Sequence, residues 1–132
     1  MKSISSLTSI AVVAACLVTA LPCAAQEASG EKAAQALIAR VLPAQAKSFV
    51  CKTIPADNGK DVFEIEGRDG KIVLRGNSGL SLAMAFNWYL RYSCRIDFDW
   101  LAAGPLRIKG ALPLPEEKVR QVCAARERFF LN

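Results

Sequence analysis

The sequence predicts an α/β (α+β) domain: a small mixed β-sheet of four to five strands with helices packed on one face. Three observations predict it. Short runs rich in β-formers alternate with two segments whose apolar residues recur at helical spacing. An Asp-Gly pair lies between two alternating runs, a strong short-range hairpin signal. A strand–helix–strand succession then requires a right-handed crossover, and with it a parallel pair beside the hairpin.

Residues 1–25 read as a signal peptide. Lys2 supplies the positive start, an apolar run extends from about Ile4 to Leu21, and Pro22 closes it. Cys23-Ala24-Ala25 then puts small residues where a signal peptidase reads, so cleavage is expected before Gln26. Val13-Ala14-Ala15-Cys16 offers a second reading, a lipoprotein box with Cys16 as the lipid-bearing end. That would place Cys16 inside the apolar run, which favours the first site. The run is barely long enough to span a bilayer and no cationic stop-transfer cluster follows, so no membrane span is expected. The rest divides into a domain over 26–110 and a tail over 111–132.

Glu31 to Val41 is predicted helical: Ala33, Ala34, Leu37, Ile38 and Val41 share a face, Ser29-Gly30 marks a start and Pro43 a stop. Strands are predicted at Phe49 to Ile54, Val62 to Glu66 and Ile72 to Arg75. With Asp69-Gly70 as a two-residue turn, Ile65 should face Leu74 and Glu64 should face Arg75. One sheet face then carries Phe63, Ile65, Ile72 and Leu74. The other is mostly charged, so only one side should be buried. Gly76-Asn77-Ser78-Gly79 leads into a largely buried helix from Leu80 to Tyr92, with Ser78 as its N-cap and the glycines for a tight turn. Arg95 to Trp100 alternates again and completes the crossover, and Pro105 to Lys109 offers a further strand. The tail from Pro113 has no evident partner and reads as a connection leading elsewhere.

Composition excludes much chemistry. The chain has no His, which removes Ser-His-Asp and Cys-His catalysis and every His-containing metal site. Seventeen basic residues face twelve acidic ones, but the two signs are interspersed and no basic stripe alternates with exposed aromatics, so no nucleic acid partner is expected. Cys51, Cys94 and Cys123 lie beyond the signal. Their odd number and the lack of CxxC spacing favour free thiols over a bridge and leave no structural zinc set. Asp97 and Asp99 lie about 6.5–7 Å apart along one strand face. An inverting glycosidase uses a comparable separation, but its carboxyls must flank a sugar from opposite sides. These two point the same way and read as the wet side of a strand, as do Glu64 and Glu66. The Gly76–Gly79 turn matches neither GxGxxG nor a P-loop, so cap and turn explain it without a phosphate. Trp88, Tyr89, Tyr92 and Trp100 suggest a sugar platform, but on elements that must cover a sheet they read as core or domain-interface residues.

Lys71-Ile-Val-Leu-Arg-Gly-Asn-Ser-Gly79, a helix closing on Asn87-Trp-Tyr-Leu-Arg-Tyr92, a strand ending at Trp100, the prolines of Leu112-Pro-Leu-Pro115 and Arg128-Phe-Phe-Leu-Asn132 follow one another in order. This succession resembles the N-terminal domain of α-N-acetylglucosaminidases, glycoside hydrolase family 89, from about Gln35 to Asn132. The resemblance implies an accessory domain followed by a (β/α)₈ barrel and a helical C-terminal domain. It implies retaining hydrolysis of terminal α-linked N-acetylglucosamine by two barrel carboxylates, neither of which maps onto this sequence. The barrel would begin about where the chain stops, so an N-terminal piece is expected, from an incomplete gene model or a truncated gene, with 111–132 as the lead into the barrel. No catalytic residue, metal or cofactor is implied here. Asn132 alone is carried over, as a substrate-binding residue in a full-length enzyme. The expected partner is the barrel, docked within the same polypeptide, with glycan reached only through it. The competing reading is a stand-alone exported carbohydrate- or protein-binding module without enzymatic activity.

Overall fold

The computed structural model describes residues 23–97 and 104–124. Helix α1 (Cys23–Val41) leads through a 3₁₀ turn (Pro43–Ser48) to strand β1 (Phe49–Thr53). Strands β2 (Val62–Arg68) and β3 (Lys71–Gly76) follow, then helix α2 (Gly79–Trp88), a π-helical turn (Tyr89–Ser93) and strand β4 (Val119–Val122). The sheet is mixed, in the order β1-β3-β2-β4.

The hairpin forms in the predicted register, Ile65 opposite Leu74 and Glu64 opposite Arg75. Asp69 (φ 51°) and Gly70 (φ 70°) both take the positive φ that a type I′ turn demands. Alternation puts Phe49, Phe63, Ile65, Ile72 and Leu74 on one face, where Ile38, Leu82, Ala85, Phe86 and Tyr89 cover them. Phe49 stands edge-on to Phe86 and Tyr89, with ring centroids 5.3 and 5.4 Å away, a favoured geometry for aromatic quadrupoles.

The opposite face is charged, but it is not simply wet. Val62, Glu64 and Val73 lie on it and are buried, where a one-sided sheet was expected. The long side chains of that face form ion pairs above the strands.

Four further expectations are corrected. Helix α1 ends before Pro43 as predicted but starts at Cys23, so Ser29-Gly30 lies inside it. A single helical glycine costs only about 1 kcal/mol, and here it permits a close crossing: a Cβ on Gly30 would lie 3.1 Å from the backbone nitrogen of Gly79. Residues 95–97 form no strand, and Arg95 sits at φ 57°, incompatible with one; Phe98, Asp99 and Trp100 lie outside the described residues. The parallel pair is therefore β1 with β3, Cys51 opposite Leu74, rather than β3 with a later strand. Residues 105–109 also form no strand; Leu106 and Ile108 pack against the core, and Leu106 N–H donates to Val41 C=O at 2.7 Å.

The tail is the largest correction. Residues 119–122 form β4, antiparallel to β2, with Arg120 opposite Glu64 and Val122 opposite Val62. The proline stretch before it is packed as well. Leu112 leans on the core, Tyr89 Oη donates to Pro113 C=O at 2.8 Å, and Pro115 C=O would lie 2.8 Å from a Cβ on Gly67. Prolines that suit a linker equally suit a rigid strap, which is why composition misled here.

Candidate docking surface

Three residues set helix α2 on the sheet. Ser78 caps it, its Oγ accepting from Ser81 N–H at 3.1 Å, as expected. Gly76 is required by close approach rather than by turn geometry: a Cβ there would meet Leu82 N at 2.8 Å. Asn77 joins β2 to α2. Its Oδ1 accepts from Val62 N–H (2.9 Å) and Ser81 Oγ (2.7 Å), while Nδ2 donates to Asp61 Oδ1 (2.8 Å).

So placed, α2 has a covered side and an open one. Leu82, Ala85 and Phe86 are buried, as is Tyr89 just beyond. Leu80 (54 % exposed), Met84 (49 %) and Tyr92 (56 %) face out with half-buried Trp88 between them. They recur every fourth residue, which makes one stripe. Trp88 packs against Phe63 (5.7 Å) and Tyr92 (4.4 Å). Of the candidate aromatics, then, Tyr89 is core, Trp88 bridges core and surface, and Tyr92 is exposed. Beside the stripe runs a groove of about 270 Å³ between α2 and the β2–β4 edge, its walls including Val62, Phe63, Leu80, Met84 and Val122.

On the other sheet face, Glu64 is the hub of an ion-pair cluster. Arg120 Nη1 and Lys118 Nζ reach it at 2.6 and 2.7 Å, and Arg75 Nη1 lies 3.8 Å away. Arg75 bonds Glu66 and Arg120 also bonds Asp57. Burial works against the Glu64 charge, but the bonds from Lys118 and Arg120 outweigh it and hold its pKa below the usual glutamate value. Glu64 does face Arg75, yet its short contacts come from Arg120 of β4 and from Lys118 just before it, cations whose role sequence reasoning missed. The available signal was Glu64 itself, a carboxylate on a buried strand that needed compensation.

Asp97 is exposed and pairs with Arg91 at 3.3 Å, in keeping with a wet position; its companion Asp99 and the carried-over Asn132 lie outside the described residues. Among the described residues no group of three His, Cys, Asp or Glu could hold a metal ion, and no helix is long and apolar enough to cross a membrane. Cys51 and Cys94 are half-buried thiols. Burial, aided by the Glu31 carboxylate, pushes the Cys51 thiol up to about 11.

Fold and surface together define a small α+β domain with one helix-covered sheet face and an apolar stripe along the outside of its second helix. The chain belongs to the α-N-acetylglucosaminidase (NAGLU) N-terminal domain family, whose model matches residues 32–115. Human α-N-acetylglucosaminidase is 29 % identical over 114 residues, which cover 83 % of this chain and 15 % of the human protein. A family 89 glycoside hydrolase from Clostridium perfringens, solved in complex with PUGNAc, superposes with a TM-score of 0.75 at 27 % identity, over 83 % of this chain and 13 % of that one. A doubly substituted form of that hydrolase, in complex with its substrate GlcNAc-α-1,4-galactose, gives 0.72 at 26 % identity, over 80 % and 12 %. The chain thus spans about one-seventh of the length of these relatives.

Proposed function

We propose that this chain is the non-catalytic N-terminal domain of an exported family 89 glycoside hydrolase acting on terminal α-linked N-acetylglucosamine. The observation that carries the reading is the family match over 32–115, on a chain corresponding to 15 % of its human relative. In such an enzyme the hydrolytic carboxylates lie at the C-terminal ends of barrel strands, and this domain supplies support by packing against the barrel. Sugar contacts from this chain would be confined to Asn132.

Incubation of the purified chain with an aryl α-N-acetylglucosaminide is the direct test. No aryl release is expected, and turnover by the chain alone would overturn the reading. Export is tested by N-terminal sequencing of protein recovered from the periplasm. A start at Gln26 fits the signal peptide, a lipid-modified Cys16 would reveal anchoring instead, and a retained Met1 in the cytoplasm would overturn export.

A further inference from the structure

Resting on that reading, we infer that the outer stripe of α2, with the groove beside it, is the surface on which the domain that follows in family 89 hydrolases docks. Leu80, Met84, Trp88 and Tyr92 form one row along the helix, and Val122 of β4 (40 % exposed) faces the same groove. Among the described residues Asp61 is the one carboxylate lining it, whereas the hollow on the opposite sheet face is walled by charged Lys52, Arg68, Asp69, Lys71 and Arg75. Chemistry therefore favours an uncharged, apolar protein surface as occupant. A contiguous apolar patch of this kind marks an interaction site.

Chain geometry identifies which protein surface. Strand β4 runs along the groove, Cys123 lines it, and Cys123 N–H is fixed to Asp61 C=O at 2.7 Å. The polypeptide thus leaves the sheet at the groove's own lip. In the C. perfringens relative the matched region is 13 % of the chain, so most of that enzyme lies elsewhere in the polypeptide. A neighbour tethered at the lip faces this patch at an effective concentration of the order of millimolar. A few half-exposed apolar side chains suffice at that concentration, but they are too few to hold an untethered second copy against the entropy of association.

The test is a chimera in which this chain replaces the matching N-terminal segment of the C. perfringens hydrolase. Thiol labelling is followed site by site by mass spectrometry at Met84→Cys and, on the charged sheet face, at Lys52→Cys. Labelling at position 84 should slow at least tenfold in the chimera relative to the isolated chain, with position 52 changing less than twofold. Protection at 52 instead of 84 overturns the assigned surface while the accessory-domain reading stands. Protection at neither position, or a chimera that no longer hydrolyses an aryl α-N-acetylglucosaminide, overturns both. Concentration-dependent protection at 84 in the isolated chain makes a second copy the occupant and overturns the inference alone.

Discussion

Arg120 reaches across the β2–β4 ladder to Glu64, its Nη1 donating to Oε1 over 2.6 Å, and so ties a strand with mostly exposed side chains to a carboxylate that is 7 % exposed. Strand β4 has little apolar surface to bury, so backbone pairing and this cation clamp must hold it. Arg120→Ala removes two charge-assisted hydrogen bonds at once, to Glu64 and to Asp57. The variant should show a lower urea midpoint than the wild type, with hydrogen exchange rising first in residues 119–122.

Acid should loosen the same clamp. Burial opposes the Glu64 charge, but Lys118 and Arg120 more than offset it, and its folded pKa lies below the unfolded one. The unfolded chain therefore binds the proton first as pH falls, and stability drops below about pH 4.3, the ordinary glutamate value, until the folded pKa is passed. Glu64→Gln should flatten this part of the stability–pH curve while lowering the plateau at neutral pH. Melting temperatures measured between pH 3 and 7 check both signs. An unchanged slope would mean that other carboxylates set the acid limit.

Local rules made the first half of the domain legible. The Asp69-Gly70 turn fixes the hairpin register, and period-2 alternation through Phe63 and Ile65 identifies the buried face. Ser78 was recognisable as a cap because its role depends on three neighbouring residues. Long-range features were not legible in this way. Strand β4 is four residues long, too short for alternation to register, and its partner lies more than fifty residues away at Glu64. Gly30 read as a helix-start residue, yet it and Gly67 each admit backbone arriving from elsewhere in the chain, information that no local window holds. The docking stripe was half visible: Trp88 and Tyr92 stood out as interface candidates, while Leu80 and Met84 gained meaning only once α2 had an orientation.

Two glycine substitutions should separate crowding from backbone strain. In Gly76→Ala the new Cβ falls 2.8 Å from Leu82 N, a backbone atom that can move only with the helix. Overpacking of this kind costs about 1–3 kcal/mol. Gly59 takes φ 74° in open space, so Gly59→Ala meets only the left-handed penalty of about 1 kcal/mol. Thermal denaturation should rank Gly76→Ala as the more damaging, with loss of near-ultraviolet signal from the aromatics packed under α2.

Asn77 should be intolerant of its closest isostere. Its Nδ2 donates to Asp61 Oδ1 at 2.8 Å, and Asn77→Asp replaces that donor with a second carboxylate. Like charges at such a distance disfavour joint ionisation and raise one of the two pKa values. The variant should therefore be destabilised at pH 7 and partly recover towards pH 4–5, where one proton restores a donor. This is opposite in sense to the wild-type acid response, so denaturant midpoints at the two pH values distinguish the effects.

Cys51 should alkylate slowly, although its side chain is only half-buried. Burial is the larger cause of its raised pKa of about 11 and the Glu31 carboxylate the smaller. The thiolate is the nucleophile, and at pH 8 a pKa near 11 leaves about 0.1 % of it, against roughly a quarter for an ordinary cysteine. Iodoacetamide should label Cys51 at least tenfold more slowly than free cysteine. Glu31→Gln removes only the minor cause and keeps an oxygen able to accept from Thr53 N–H, the bond Glu31 makes at 2.6 Å. Its acceleration should therefore stay below tenfold. A rate equal to that of free cysteine in that variant would transfer the main role from desolvation to the carboxylate, because only a dominant charge effect could be abolished by removing one charge.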